Sequence, residues 1–163
     1  MAVSVKLRGV DKLTKSLEKA IKPYVDAGGM VVKVGVFEGA AHSGETTPTG
    51  TLVAPIAAAH EFGTENIPAR SFMRSTFAEK KEELPKYAAR YLKANPGNVF
   101  GALDVIGKRL SAAIQNKINW GIDPPLKEET IARKQRRGKQ EPDTPLIDTG
   151  ALQEAILYKV EKK

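Results

Sequence analysis

MVVKVGVF, residues 30–37, decides the fold class of this chain. Val31, Val32, Val34 and Val36 give it the β-branched content of a central strand, where branched side chains pack well on a pleated surface. Gly35 interrupts the run and is expected to mark a bulge or a close backbone approach. On the N-terminal side, Val3, Val5 and Leu7 alternate with Ser4, Lys6 and Arg8, the period-two pattern of a strand with one buried face. Asp11 then caps a short amphipathic helix carrying Leu13, Leu17 and Ile21, which Pro23 and the Gly28-Gly29 pair end.

C-terminal to the strand, residues 38–51 cluster Gly, Ser, Thr and Pro without periodicity and predict a mobile surface loop. Leu52–Phe62 reads as a short buried helix with Pro55 in its first turn. Met73, Phe77, Leu84, Ala88 and Tyr91 keep helical spacing over 71–94, with Pro85 expected to kink or divide that helix. After the turn Asn95-Pro96-Gly97, Asn98 caps a second long helix bearing Leu103, Ile106, Leu110, Ile114 and Ile118, ended by Trp120-Gly121. Asp123–Pro145 predicts a second mobile loop with one helical turn at 126–132. Asp148 or Thr149 then caps a short helix with Leu152 and Ile156, and Leu157–Val160 forms a last strand. The expectation is a single α+β domain over 1–163, a small mixed or antiparallel β-sheet packed with two long helices and short amphipathic ones.

Composition narrows the function classes. The 163 residues contain no cysteine, which excludes disulfide scaffolds, thiolate metal sites and cysteine nucleophiles. The longest apolar run, Leu52–Ala59, is far short of a membrane span, and the N-terminus has no apolar signal core, so a soluble, unexported product is expected. The 26 Lys and Arg against 19 Asp and Glu leave a net charge of +7. Arg133, Lys134, Arg136, Arg137 and Lys139 carry most of the excess; without them the balance is 21 against 19, or +2. That cluster could meet phosphate or an acidic partner, but the absence of an aromatic residue between Leu126 and Leu157 leaves no base-stacking platform within it.

Enzyme chemistry finds little footing, and no enzyme, cofactor or metal is expected. His60-Glu61 resembles the start of a zinc-protease motif, yet position 64 is Thr where the second ligand would stand. No GxSxG elbow and no phosphate-binding glycine pattern occurs. In 60–74, HEFGTENIPARSFMR, Gly63 permits a backbone reversal, and Phe62 and Phe72 are expected to flank the corner. Glu61, placed at a helix C-terminus that disfavours an anion, needs a cation such as Arg70 or Arg74.

This stretch is similar to the EFGT…PARPF signature of the tail-completion and neck proteins of long-tailed bacteriophages, with Ser71 where that family often has Pro. GVDKLTKSLEKAI resembles the same family's N-terminal helix, and PLKEETIARK…PLIDTGALQEAILYKV resembles its Mu-like ending. The resemblance implies a non-enzymatic virion protein, made in the host cytoplasm and built into the head–tail junction as a ring, usually sixfold. The ring would meet the head connector or the tail-tube and tail-terminator proteins, with no membrane involved; a variant in which the basic loop lines a lumen through which DNA passes stays open. The positions carried over are His60, Glu61, Phe62, Gly63, Thr64, Pro68, Ala69, Arg70 and Phe72, then Leu146, Asp148, Thr149, Gly150 and Leu152, as candidate fold or subunit contacts. The competing reading is a nucleic-acid-binding module using residues 133–139.

Overall fold

The computed structural model describes residues 2–4, 29–37 and 53–163. The expected helix after Asp11, the rest of the first strand and the loop at 38–51 lie outside the described residues. Three strands, β1 (Ala2–Ser4), β2 (Met30–Val36) and β3 (Ile156–Lys162), form one antiparallel sheet in the order β1-β2-β3. The MVVKVGVF segment is the central strand. Gly35 pairs with both Ala2 and Leu157 in an unbroken ladder, so the expected bulge is absent there. The β2–β3 register sets Val32 opposite Val160, Val34 opposite Tyr158 and Val36 opposite Ile156 on the core face. On the other face Lys33 pairs with Glu161, and the Lys159 ammonium lies 4.5 Å from the centroid of the Phe37 ring.

Six helices are described: α1 (Val53–Phe62), α2 (Phe72–Lys80), α3 (Leu84–Ala94), α4 (Val99–Asn119), α5 (Glu128–Arg136) and α6 (Ala151–Glu154). The fold is therefore α+β, as the strand and helix patterns imply. Among the described residues only one helix is long, because the 71–94 segment divides into α2 and α3. Pro85 stands in the first turn of α3, where its missing amide donor costs nothing. The α4 start is set by Asn98, whose side chain accepts the Gly101 N–H at 2.8 Å. Ala102, Ile106, Leu110, Ile114 and Ile118 recur every fourth residue, giving α4 a continuous buried stripe. That stripe packs across β2 and β3 on one side and against α2 and α3 on the other. The α3–α4 hairpin carries a cation–π contact, the Arg109 guanidinium 3.8 Å over the Tyr87 ring.

The C-terminal third departs from expectation in three places. Residues 128–136 of the expected loop are helix α5, so the basic run begins on a helix rather than in an irregular segment. Glu128 and Glu129 occupy its first turn and Arg133, Lys134 and Arg136 its last, the arrangement that complements the helix dipole. Asp148 does not cap α6: Gly150 takes that position, Thr149 Oγ1 stands 3.4 Å from the Ala151 N–H, and Asp148 turns to Arg137 and Lys139. Ile156 belongs to β3, where it faces the core with 1% exposure.

Candidate functional site

The HEFGTENIPARSFMR segment builds a rigid corner between α1 and α2. The Arg70 N–H donates to the His60 carbonyl at 2.6 Å, and the Thr64 N–H donates to the Ile67 carbonyl at 2.8 Å. The Ile67 N–H returns a bond to Thr64 Oγ1 at 3.1 Å. Gly63 turns the chain with φ +78°, and a Cβ on it would stand 2.9 Å from the Ala69 backbone nitrogen. Only glycine meets both demands.

Glu61 resolves the electrostatic conflict of its position by serving the next helix. Its side chain is 1% exposed. The carboxylate accepts the Met73 N–H at 2.8 Å, the Arg74 N–H at 3.0 Å and the Ser71 hydroxyl at 2.8 Å. It thus caps α2 from outside, in place of Ser71, whose own side chain makes no capping bond. Arg74 adds an ion pair through Nε at 3.0 Å and a bond from Nη2 to the Glu61 carbonyl at 2.9 Å. Of the two arginines expected to compensate Glu61, Arg74 does so. Arg70, buried on the corner, donates instead to the Pro124 carbonyl at 2.7 Å and the Pro125 carbonyl at 2.9 Å. The two phenylalanines separate: Phe72 is fully buried, whereas Phe62 is half exposed beneath the Arg74 guanidinium at 4.5 Å. Pro68 and Ala69 stay on the surface of the corner.

The second group of carried-over residues comes to the same neighbourhood. A cleft of about 310 Å³ opens between α1, α5 and the 146–152 segment. Its apolar wall is Val53, Ile56, Leu126, Leu146, Ile147 and Leu152. Its polar side is His60 with Thr130, Arg133, Lys134 and Arg137, joined by Asp148, Thr149 and Gly150. Two backbone and side-chain features stand out. Leu146 holds φ +66°, a left-handed conformation that is strained for a non-glycine residue and tends to gather at binding sites. His60 Nδ1 is buried without a hydrogen-bond partner among the described residues.

The five clustered cations are not equivalent. Lys134 is buried, and its ammonium clamps the Glu141 carbonyl at 3.1 Å and the Thr144 carbonyl at 2.8 Å. Burial pushes its pKa below the usual lysine range, against the opposing pull of Asp148, Asp143 and Glu141. Arg137 and Lys139 lie 3.3 and 3.9 Å from Asp148. Arg133 and Arg136 are exposed and form no ion pair among the described residues, and Arg133 alone of these two lines the cleft. Of the five cations expected on a mobile loop as contacts for phosphate or an acidic partner, Arg133, Lys134 and Arg136 stand on a helix, and only Arg133 and Arg136 are without an ion pair or buried clamp among the described residues. The spacing 130, 133, 134, 137 is one helical face, a signal in the sequence that the loop assignment passed over.

Burial and the neighbouring Arg70 charge hold the His60 imidazole below its usual range. A pKa lower in the folded than in the unfolded chain means that stability from neutral His60 is present above pH about 6.5 and is lost as pH falls below it. The melting temperature is expected to drop between pH 6.5 and 5, and His60→Gln to flatten that slope. Thermal melts across that interval check it; an equal slope in the wild type and in His60→Gln would contradict it.

Among the described residues, no group of three or more His, Asp or Glu could hold a metal ion, and no helix is long and apolar enough to cross a membrane. Compared with known proteins, the chain matches no family model, no curated protein and no solved structure.

Proposed function

We propose that this chain is a structural subunit of the phage head–tail junction that works by self-association into a ring, in contact with the head connector or the tail-tube and tail-terminator proteins. The observation that carries the reading is convergence. Two segments with the family's signatures, 60–72 and 146–152, are separated by more than seventy positions, yet both contribute to one cleft. Glu61, Gly63, Thr64, Arg70 and Phe72 are consumed in building the corner, while His60, Leu146, Asp148, Thr149, Gly150 and Leu152 face the cleft. A cleft walled by apolar side chains and rimmed by an arginine that forms no ion pair among the described residues suits a protein partner better than a reaction.

Light scattering on the purified protein, followed by negative-stain imaging, tests the assembly, with closed rings near sixfold as the expected product. Peptide mass spectrometry of virions tests the location. A monomer at every concentration, with none of the protein in virions, would overturn the proposal. The nucleic-acid reading is left with Arg133 and Arg136. If those two alone met phosphate, log affinity for duplex DNA would fall against log salt with a slope of about −2.

A further inference from the structure

We infer that the cleft receives Trp120 of a second copy of this chain, a head-to-tail contact in which one subunit's Trp120–Asp123 segment fills the next subunit's cleft. This rests on the assembly reading above and names the contact that would carry it.

The subunit carries both a knob and a hole. Trp120 is the sole tryptophan of the chain and is 84% exposed, the most exposed large apolar side chain described. Leaving an indole in water is costly unless something covers it, and burying one removes roughly 200 Å² of apolar area. Its segment is already ordered: the Trp120 N–H donates to the Asn116 carbonyl at 2.9 Å, and Arg70 grips the carbonyls of Pro124 and Pro125. An anchor held in place before contact loses little conformational freedom on docking. Three residues after it stands Asp123, an exposed carboxylate.

The cleft offers the complementary set. Its 310 Å³ is the lower end of the range that takes a compact group, enough for one indole but not for a folded element. Ile56 on its wall is 37% exposed, so apolar surface awaits a partner. Arg133 at its rim, unpaired among the described residues, is a cation for Asp123. His60, whose Nδ1 has no hydrogen-bond partner among the described residues, lines the same cleft. Because knob and hole are different patches of one subunit, the contact is heterologous, and repetition gives a ring if the rotation closes and a filament if it does not.

Two substitutions separate the halves. Trp120→Ala removes the knob and leaves the cleft; Ile56→Arg blocks the cleft and leaves the knob, at a site exposed enough to accept a charge. Each is expected to weaken self-association by about 30-fold or more, the effect of a central aromatic anchor, with melting temperature confirming that each folds. Mixed together, they have one good knob and one good hole and should form a 1:1 heterodimer that grows no further. In that mixture the only tryptophan is on the Ile56→Arg partner, so its emission should shift to the blue on mixing. Arg133→Glu provides a second cleft variant and should also fail to accept the knob. A wild-type multimer untouched by Trp120→Ala, or a mixture that stays monomeric, would overturn the contact while leaving ring assembly standing. A wild-type protein that never associates would overturn both. Association through this contact without incorporation into virions would overturn only the assignment to the head–tail junction.

Discussion

Replacing Glu61 by alanine is expected to lower stability by about 3 kcal/mol or more, one of the largest single effects in the chain. The carboxylate is the acceptor for the backbone N–H groups of Met73 and Arg74, two of the donors that a helix N-terminus leaves without an intrahelical partner. Met73 is buried, so water cannot replace the lost acceptor, and each amide stranded in this way costs about 1–3 kcal/mol. The Ser71 hydroxyl loses its acceptor as well. Arg74, whose side chain is half exposed, can turn to solvent and adds little to the loss. In a chain of this length, 3 kcal/mol corresponds to a fall in Tm on the order of 10 °C. Glu61→Gln keeps one oxygen acceptor but turns an NH₂ toward a cluster of donors, so its melting temperature should lie between wild type and Glu61→Ala. Urea titration with thermal melts reads both. A loss under about 1 kcal/mol for Glu61→Ala would show that Ser71 or water takes over the cap.

The cap also explains why this residue type stands where local rules oppose it. At the end of α1 an acid is unfavourable, and the sequence alone signals only that Glu61 requires a cation. What makes it favourable is the start of α2, eleven positions later, brought in line by the turn at Gly63. A long-range reason of that kind is invisible to periodicity. Elements whose signals are local were legible: the valines of β2, Asn98 before α4, Pro85 in the first turn of α3. The C-terminal third was less so, because its interactions are between a side chain and distant backbone. Lys134 reads as one more surface cation until the Glu141 and Thr144 carbonyls are seen around its ammonium, and Arg70 reads as a partner for Glu61 until Pro124 and Pro125 are seen to occupy it. Five cations in seven positions look like a charged loop in sequence, and the proline-rich flanks strengthen that impression. In the structure α5 and the residues after it sort them into one buried clamp, two neighbours of Asp148 and two arginines without an ion pair among the described residues. The site was legible only as two separate motifs; the cleft that joins them depends on α5, for which the sequence pattern predicts a single turn at 126–132.

The second large effect is expected at Gly107, where α4 meets β3. A Cβ at this buried position would collide with Cδ2 and Cγ of Tyr158 and stand 3.0 Å from its Cε2. Cγ lies one bond from the strand's own Cβ, so the ring cannot swing clear unless β3 moves away from the helix. Alanine is about 1 kcal/mol better than glycine within a helix. Overpacking typically costs about 1–3 kcal/mol, and displacing the ring also strains the 2.8 Å bond from the Tyr158 hydroxyl to Asp104, worth about 1 kcal/mol. Gly107→Ala should therefore destabilise by about 2 kcal/mol despite its better propensity. Two backgrounds separate the causes. In Tyr158→Phe the hydroxyl is gone but the ring remains, so Gly107→Ala should lose only the part of its penalty tied to the hydrogen bond, about 1 kcal/mol, and keep the overpacking part. In Tyr158→Ala the ring is gone, and Gly107→Ala should become neutral or stabilising, a coupling of about 1–3 kcal/mol between the two positions in a double-mutant cycle. If the penalty were the same in all three backgrounds, close approach of helix and strand would not be the reason for glycine at this site. If it vanished already in Tyr158→Phe, the hydrogen bond to Asp104, rather than the ring's volume, would be what holds β3 against α4.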